Sequence, residues 1–409
     1  LKVAIIGGGP AGLAAAIAFN RLSFVDWKLY EKKPVISEIG NGLSIQKHTW
    51  RILELLGAAH HITTDDFFRP EDNHSVQHRT VLTTLFSNGQ TAQLLDIQYS
   101  PDNTPSHQLP CRAHRSKLQQ ALLKEVDQSR VQVGKSLVGA HKLNSGKIKI
   151  EFEGGYSDEV DLIVGADGIR SVVRAFAFPD HKIAYTGAVA YRTIVRTSDA
   201  LKINGIPKGV TFWHGTGGNW LYTCPLGGDD FELTAKIAVP ASEVDAVSWG
   251  RPVPVDNLTK PLSDFSLPIQ QLLGLVNKVD EYSFFAGPRL DTVIQHGAVA
   301  LIGDASHPLS GAFGAGAGFA LEDAHVLAQS LEWGWARSRT SSQKGNLDAA
   351  LNLFDSVRSP HYNDLYNVLD EYKEAEARLP TGLSAADEIA YRVKHTWHKK
   401  HNWMYFYEV

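Results

Sequence analysis

The stretch that most constrains this chain is Val3 to Phe19, VAIIGGGPAGLAAAIAF. Val3, Ala4, Ile5 and Ile6 form a continuous apolar run, the pattern of a strand buried on both faces. Gly7, Gly9 and Gly12 then fall on the spacing G-x-G-x-x-G. In that motif one glycine makes a tight turn, one lets backbone approach a pyrophosphate, and one packs a helix closely on a strand. A helix over residues 11–21 aims its unsatisfied N–H groups at an anion above the glycines. A second strand, residues 27–30, leads into Glu31, where a carboxylate can accept hydrogen bonds from a ribose hydroxyl. Strand, glycines, helix, strand and acid in this order predict an adenosine site. A glycine-rich turn in another α/β fold would leave Glu31 without a role. The motif leaves NAD(P) and FAD open, because both present the same ADP half.

Composition narrows the classes. The 409 residues suffice for two or three domains, or for one αβ body carrying an inserted module. A net charge of −4 and the absence of any basic run of five argue against a nucleic-acid binder. The two cysteines, Cys111 and Cys224, lie far apart, with no C-x-x-C and no histidine cluster of metal spacing. They read as buried structural thiols of a reducing compartment, and no metal is expected. With no run of 18 apolar residues and nothing like a signal peptide before the first strand, a soluble cytoplasmic protein without a transmembrane segment is expected.

Further along, Gly40 and Gly42 mark a turn, and residues 49–56 carry helical spacing with Gly57 as C-cap. Alternating segments 76–86 and 90–97 flank Asn88-Gly89, a hairpin signal outside the nucleotide fold. Residues 111–125 read as one amphipathic helix entered through Arg112 to Ser116, followed by short strands near 131–137 and 148–153. A second strand end follows: a buried strand over 161–164 runs into Gly165-Ala166-Asp167-Gly168 ahead of Arg170 and Arg174. Asp-Gly is also an ordinary turn, and both arginines would suit a solvated helix face. A third has residues 299–302 entering Gly303-Asp304, and a Gly-rich loop over 311–318 opening a helix over 319–331. Asp304 can hold a ribityl or ribose hydroxyl, and the loop N–H groups can face a ring or pyrophosphate. No second G-x-G-x-x-G occurs, so one dinucleotide has a permanent bed.

GGGPAGLAAA with Glu31, VGADGIRSVVR, and GDASHPLSGAFGAGAGFALEDA, in this order, resemble the single-component FAD-dependent aromatic hydroxylases, the salicylate and para-hydroxybenzoate hydroxylase group. Arg51 and Gly57 resemble the family's helix after the second strand, Arg115 its FAD-contacting arginine, and FDSVRSP at 354–360 its C-terminal segment. The resemblance implies noncovalent FAD, and NADH or NADPH that visits without a domain of its own. It implies a Rossmann-like FAD-binding fold, α/β, over residues 1–75, 99–178 and 287–350. An inserted, mainly antiparallel β-sheet substrate domain takes 76–98 and 179–286, and a C-terminal helical region 351–409. Carried over, Glu31 holds the adenosine ribose, Asp167 and Gly168 serve FAD and NAD(P)H together, and Asp304 holds the ribityl side. The backbone of Gly314, Gly316 and Ala317 faces the flavin's pyrimidine edge. Gly311 and Ala315 depart from the family, where many members carry proline and glutamine.

The implied reaction inserts one oxygen atom of O2 into a small phenolic or aryl-carboxylate substrate through a flavin C4a-hydroperoxide. An epoxidase or dearomatising oxygenase acting on a larger aromatic or indole natural product is the alternative. A binding scaffold with a degenerate site is the reading outside enzymes, and the intact cofactor motifs oppose it. Substrate choice is expected from strands at 188–196, 210–214, 219–225 and 231–239, where Arg192, His214 and Tyr222 can converge on one pocket. Each also has a plain reading, as a surface charge or as a packed ring with a satisfied polar tip. Beyond an exposed loop at 338–345, the tail is helical and aromatic, with Trp397, Trp403, Tyr405, Phe406 and Tyr407 expected to pack on the body or on a second subunit of a homodimer.

Overall fold

The computed structural model describes residues 1–37, 42–70, 74–81, 94–101, 103–243, 250–309, 311, 314–336, 342–397 and 403–406. Gly40, Asn88-Gly89 and Tyr407 lie outside them.

The first apolar run becomes the strand Lys2–Ile6, paired in parallel with Asp26–Glu31 on one side and Leu162–Gly165 on the other. Val131–Val133 extends the sheet past Asp26–Glu31, and Val299–Leu301 with Ile294–Gln295 extends it past Leu162–Gly165. Parallel strands need cover on both faces, and Val3, Ala4, Ile5 and Ile6 are all buried. Helix Pro10–Phe19 is nearly all alanine, glycine and aliphatic, so it nestles against the sheet and against the long helix Gly316–Ala336. The register sets Ile6 beside Tyr30 and Gly165, and Gly165 beside Leu301. The three motifs therefore emerge side by side along the carboxyl edge of one parallel sheet, where open α/β sheets bind ligands.

The second sheet has eight strands in the order Arg251–Val253, Val279–Ala286, Ala184–Arg196, Asp230–Ala238, Trp220–Pro225, Thr211–His214, His74–Thr80 and Leu94–Tyr99. All its pairings are antiparallel except that of Thr211–His214 with His74–Thr80. The segments on either side of Asn88-Gly89 do pair as antiparallel strands and join this sheet. Period-two alternation divides its faces. Val189, Tyr191, Trp213, Leu221, Leu233 and Ala235 form a core with Leu258, Leu262, Ile269 and Leu272 of the segment that crosses behind. The opposite face is polar: Arg192 pairs with Thr234, Thr234 with Tyr222, and Tyr222 with Phe212. Through Glu232 that face meets the small sheet of Gly42–Ile45, Cys111–His114 and Phe67–Phe68.

Two local expectations are corrected. Cys111–His114 is a strand, between Gly42–Ile45 and Phe67–Phe68, and the helix begins only at Arg115. The helical signal of 115–123 had spread upstream, whereas Cys111 and Ala113 point inward and Arg112 and His114 outward, a strand's alternation. Gln343 to Gly345 are not loop but the first turn of helix Gln343–Ala377, where the Ser342 hydroxyl accepts from the Gly345 N–H. Cys111 and Cys224 are free and buried. Among the described residues no helix is long and apolar enough to cross a membrane.

Candidate active site

The glycine turn divides its work as the spacing requires. Gly7 has φ 109°, and a side chain there would strike the Ala166 carbonyl of the neighbouring motif at 2.3 Å. At Gly12 a Cβ would come within 1.9 Å of the Gly7 oxygen, so only hydrogen lets the helix sit this close. Around Gly9 there is open space. Helix Pro10–Phe19 has Gly9 as its N-cap, no side-chain cap and no acid in its first turn, so its N–H groups are left for an outside anion. Glu31 is pinned beside the turn by the Gly8 N–H at 2.7 Å and the Lys33 N–H at 2.9 Å. Helix Arg115–Leu123 closes the side, where the Gln119 amide donates to the Gly8 carbonyl at 3.3 Å. Arg115 lies one turn earlier on the same helix face. This cradle fits a dinucleotide pyrophosphate.

The second motif is differently spent. Asp167 accepts from the Ser171 hydroxyl and from the Val172 and Val173 N–H groups at 2.7 and 3.2 Å, capping helix Val172–Ala177. Burial pushes its pKa up and these hydrogen bonds oppose the rise. Gly168 beside it leaves open space. Arg174 does not solvate a surface: it is buried and donates to the carbonyls of Ile169, Asp304 and Ala305, tying second motif to third. Arg170 lies over the Phe285 ring at 4.9 Å.

In the third motif Asp304 is exposed, its carboxylate beside Gly316 at the head of helix Gly316–Ala336, with Ala317 next in line. Gly311 and Gly314 both border open space, and Ala315 is buried where the resemblance has a glutamine. What holds this loop was not visible locally. Asp323 accepts from the Gly303 N–H at 2.8 Å, from Arg358 Nε at 2.8 Å and from the Tyr362 hydroxyl, all buried. Arg358 also reaches Glu322 at 3.2 Å. Burial pushes Glu322 up to about 8 against the pull of Arg358. The arginine of FDSVRSP thus props the cofactor loop from behind.

On the polar face of the large sheet two cations meet one carboxylate. Glu232 accepts from Arg112 Nε at 3.0 Å and Nη2 at 2.7 Å and from the Gly42 N–H at 3.1 Å, joining the two sheets. Arg112 adds bonds to the Ser44 hydroxyl and the Gly42 carbonyl. Burial works against its charge, and Glu232 outweighs burial to hold it above the ordinary arginine value. Arg192 lies under Tyr282, 5.0 Å from the ring centre. Burial pulls its pKa down, Glu232 opposes this, and Arg115 and Arg112 add to the drop. Its Nε–H and the Tyr222 hydroxyl are buried without a hydrogen-bond partner among the described residues. Tyr222 packs under Arg112 at 4.9 Å, and burial raises its pKa.

Arg192 and Tyr222 are thus brought to one stretch of wall; His214 is not. Its strand lies three away from that of Arg192, and its Nε2 bonds His78 Nδ1 at 2.9 Å beneath Trp397. Burial lowers His214 to about 3 and His78 to about 4. His60, His61 and Glu125 bring ligand-type atoms within 4.8 Å of one another, a grouping invisible in the sequence because Glu125 is distant in the chain.

A parallel sheet with an open glycine cradle at its carboxyl edge defines a dinucleotide-binding protein. A family model described as an FAD binding domain matches residues 1–218, and the chain belongs to that family. It is 28% identical over 378 residues to a salicylate hydroxylase of Pseudomonas putida, covering 88% of this chain and 82% of that one. It is 25% identical over 428 residues to a 6-methylsalicylate 1-monooxygenase of Aspergillus terreus, covering 99% and 89%. A solved salicylate hydroxylase substrate complex superposes with TM-score 0.79 at 22% identity, covering all of this chain and 96% of the other. The protein is an FAD-dependent monooxygenase of the aromatic hydroxylase kind, and the α/β fold expected from the motifs is the fold it has.

Proposed function

We propose that the protein inserts one oxygen atom of O2 into a small phenolic or aryl-carboxylate substrate, with NADH or NADPH as electron donor. The observation that carries this reading is Arg192, a half-buried side chain whose buried Nε–H has no hydrogen-bond partner among the described residues and whose neighbouring carboxylate, Glu232, is already held by Arg112. A buried donor left without a partner is costly, and an anionic substrate that accepts from it relieves that cost. FAD, when bound, supplies the activated oxygen. Glu31, the glycine turn, Arg115 and Asp304 hold its two ends, and Asp167 with Gly168 shapes the loop between them.

The chain's remaining task is to aim an aromatic ring and keep water out. Arg192 grips the substrate carboxylate or phenolate. A phenol with a pKa of about 10 drops by ~1–3 units beside such a cation, which enriches the more electron-rich phenolate. The Tyr222 hydroxyl offers a second polar contact on the same wall. Curated relatives named for salicylate and 6-methylsalicylate support a hydroxybenzoate-like substrate. The test is to follow oxygen uptake, NAD(P)H oxidation and product mass with a panel of hydroxybenzoates and phenols. A product heavier by one oxygen is expected. NAD(P)H oxidation stimulated without such a product would make these compounds effectors and overturn the reading.

A further inference from the structure

Two helices bring their C-terminal ends together. Helix Lys47–Leu56 closes on Gly57, in the left-handed region at φ 85°, and helix Arg115–Leu123 closes on Lys124. The ends meet, since Glu125 Oε2 lies 3.5 Å from the place a Cβ on Gly57 would take. Neither helix carries a basic residue in its last turn to answer the negative end of its dipole. Arg21 reaches in from outside, donating to the Leu55 carbonyl at 2.6 Å, and Lys124 is exposed. Just after Gly57 the turn Ala59–His61 is fixed between Ala58 and Ile62, both buried. The His61 N–H donates to the Ala58 carbonyl at 3.2 Å and the Ile62 N–H to the Ala59 carbonyl at 3.1 Å. The turn holds His60 exposed and His61 half-buried, their rings 3.8 Å apart. His61 Nε2 meets Glu125 Oε1 at 2.7 Å, across 64 residues of chain. Each of the three side chains offers a ligand atom within 4.8 Å of the other two.

We propose that His60, His61 and Glu125 form a binding site for a divalent transition-metal ion of the zinc class, a clip across the two helix ends. The donor set selects the ion. Two imidazoles and one carboxylate suit zinc, nickel or copper, whereas magnesium and calcium take oxygen ligands. Zinc bonds to such ligands are about 2.0–2.2 Å long, which sets ligand atoms about 3.4 Å apart in a tetrahedron. To reach that spacing the His61–Glu125 pair opens by about 0.7 Å, and no pair closes by more than about 1.4 Å. Rotation of the side chains on a fixed backbone supplies shifts of that size. Charge points the same way. Glu125 and the two helix dipoles attract a cation, and Arg21, with Nη2 3.9 Å from the same Gly57 position, is the one nearby charge shown to oppose it. Three protein ligands leave a fourth position for water on the exposed His60 side. An ion held there ties the turn after one helix to the end of the other, so its binding adds to the stability of the fold that carries the nucleotide cradle.

The experiment titrates zinc chloride into untagged holoenzyme freed of metal by chelator and gel filtration, and reads binding heat, bound zinc and thermal melting. Wild type is expected to take up one equivalent and to melt higher with zinc than with EDTA. A large excess of magnesium chloride should leave that uptake unchanged. His61→Gln and Glu125→Gln should each weaken zinc binding by about tenfold or more and abolish the melting shift. Glu125→Gln keeps an acceptor for His61, so a loss there reports the metal and not the hydrogen bond. Absence of zinc uptake by wild type overturns the proposal. Uptake that is undiminished in the double variant His60→Gln with His61→Gln also overturns it, because the metal then sits elsewhere on the chain. If His61→Gln does not fold, His60→Gln, at an exposed position, is read in its place: weakened zinc binding supports the site, and binding equal to wild type overturns it.

Discussion

Arg112 and Arg192 serve the same face of one sheet, and their surroundings are opposites. Arg112 gives its donors to Glu232, Ser44 and Gly42, which fastens the small strand Gly42–Ile45 to the large sheet. Arg192, beside it, keeps a buried N–H without a partner. Identical side chains are thus spent differently: one is consumed by the fold, and the other is the one proposed above to meet the substrate. The same division separates two acids at the cofactor edge. Asp167 is absorbed by a helix cap, whereas Asp304 stands exposed.

The largest effect that could break this comparison is on stability. Arg112→Ala strands a buried Glu232 and should lower the unfolding free energy by about 3–5 kcal/mol in a urea titration. Arg192→Ala should leave it level or raise it. Equal losses would mean that the two guanidiniums are alike. Next comes turnover: Arg192→Ala should keep FAD yet lose kcat/KM on the order of 100-fold, about 2.7 kcal/mol, the worth of a charge-assisted hydrogen bond. Among the acids, Asp304→Ala should weaken FAD retention roughly tenfold, ~1.4 kcal/mol by flavin fluorescence, without moving the melting of the apoprotein. Asp167→Ala should cost about 1 kcal/mol of apoprotein stability, as lost caps do. Equal flavin loss in Arg192→Ala and Asp304→Ala would show Arg192 to be structural.

The smallest effect comes from the histidine pair, which sharpens the contrast by being buried, polar and mutually satisfied. His78 and His214 have folded pKa values of about 4 and about 3, below the ordinary value, chiefly through burial. The unfolded chain binds their protons first as pH falls. Their contribution is therefore complete above pH ~6.5 and is lost progressively as pH falls through that value toward 4 and 3. Between pH 7 and 6 the loss should be roughly 1 kcal/mol, and it should vanish in His78→Gln with His214→Gln.

What the sequence made legible is what local chemistry decides. Gly7, Gly9 and Gly12 each act within a few residues of themselves, so their spacing already assigned their places. The strands bearing Arg192 and Tyr222 were readable because period-two alternation is local, and it placed both residues on one face. The Arg112–Glu232 clasp, the Arg174 brace and the Asp323–Arg358 prop were not readable, since each joins residues distant in the chain. The surroundings of His214 were hidden for the same reason. Its alternation was right, but its partner His78 and its cover Trp397 come from other parts of the chain.

The prop beneath the third motif has a consequence for how the holoenzyme is born. The glycine turn of the adenosine cradle leaves the ribosome well before the third motif, and chains fold in the order of synthesis. The loop bearing Asp304 is braced by Asp323, and Asp323 by Arg358 and Tyr362 from a helix that emerges later still. A nascent chain can therefore offer a grip on the nucleotide long before it can close on the ribityl end. Colour in a growing or truncated chain would report completion of the helix that carries Arg358, not of the motif that first suggests a flavin.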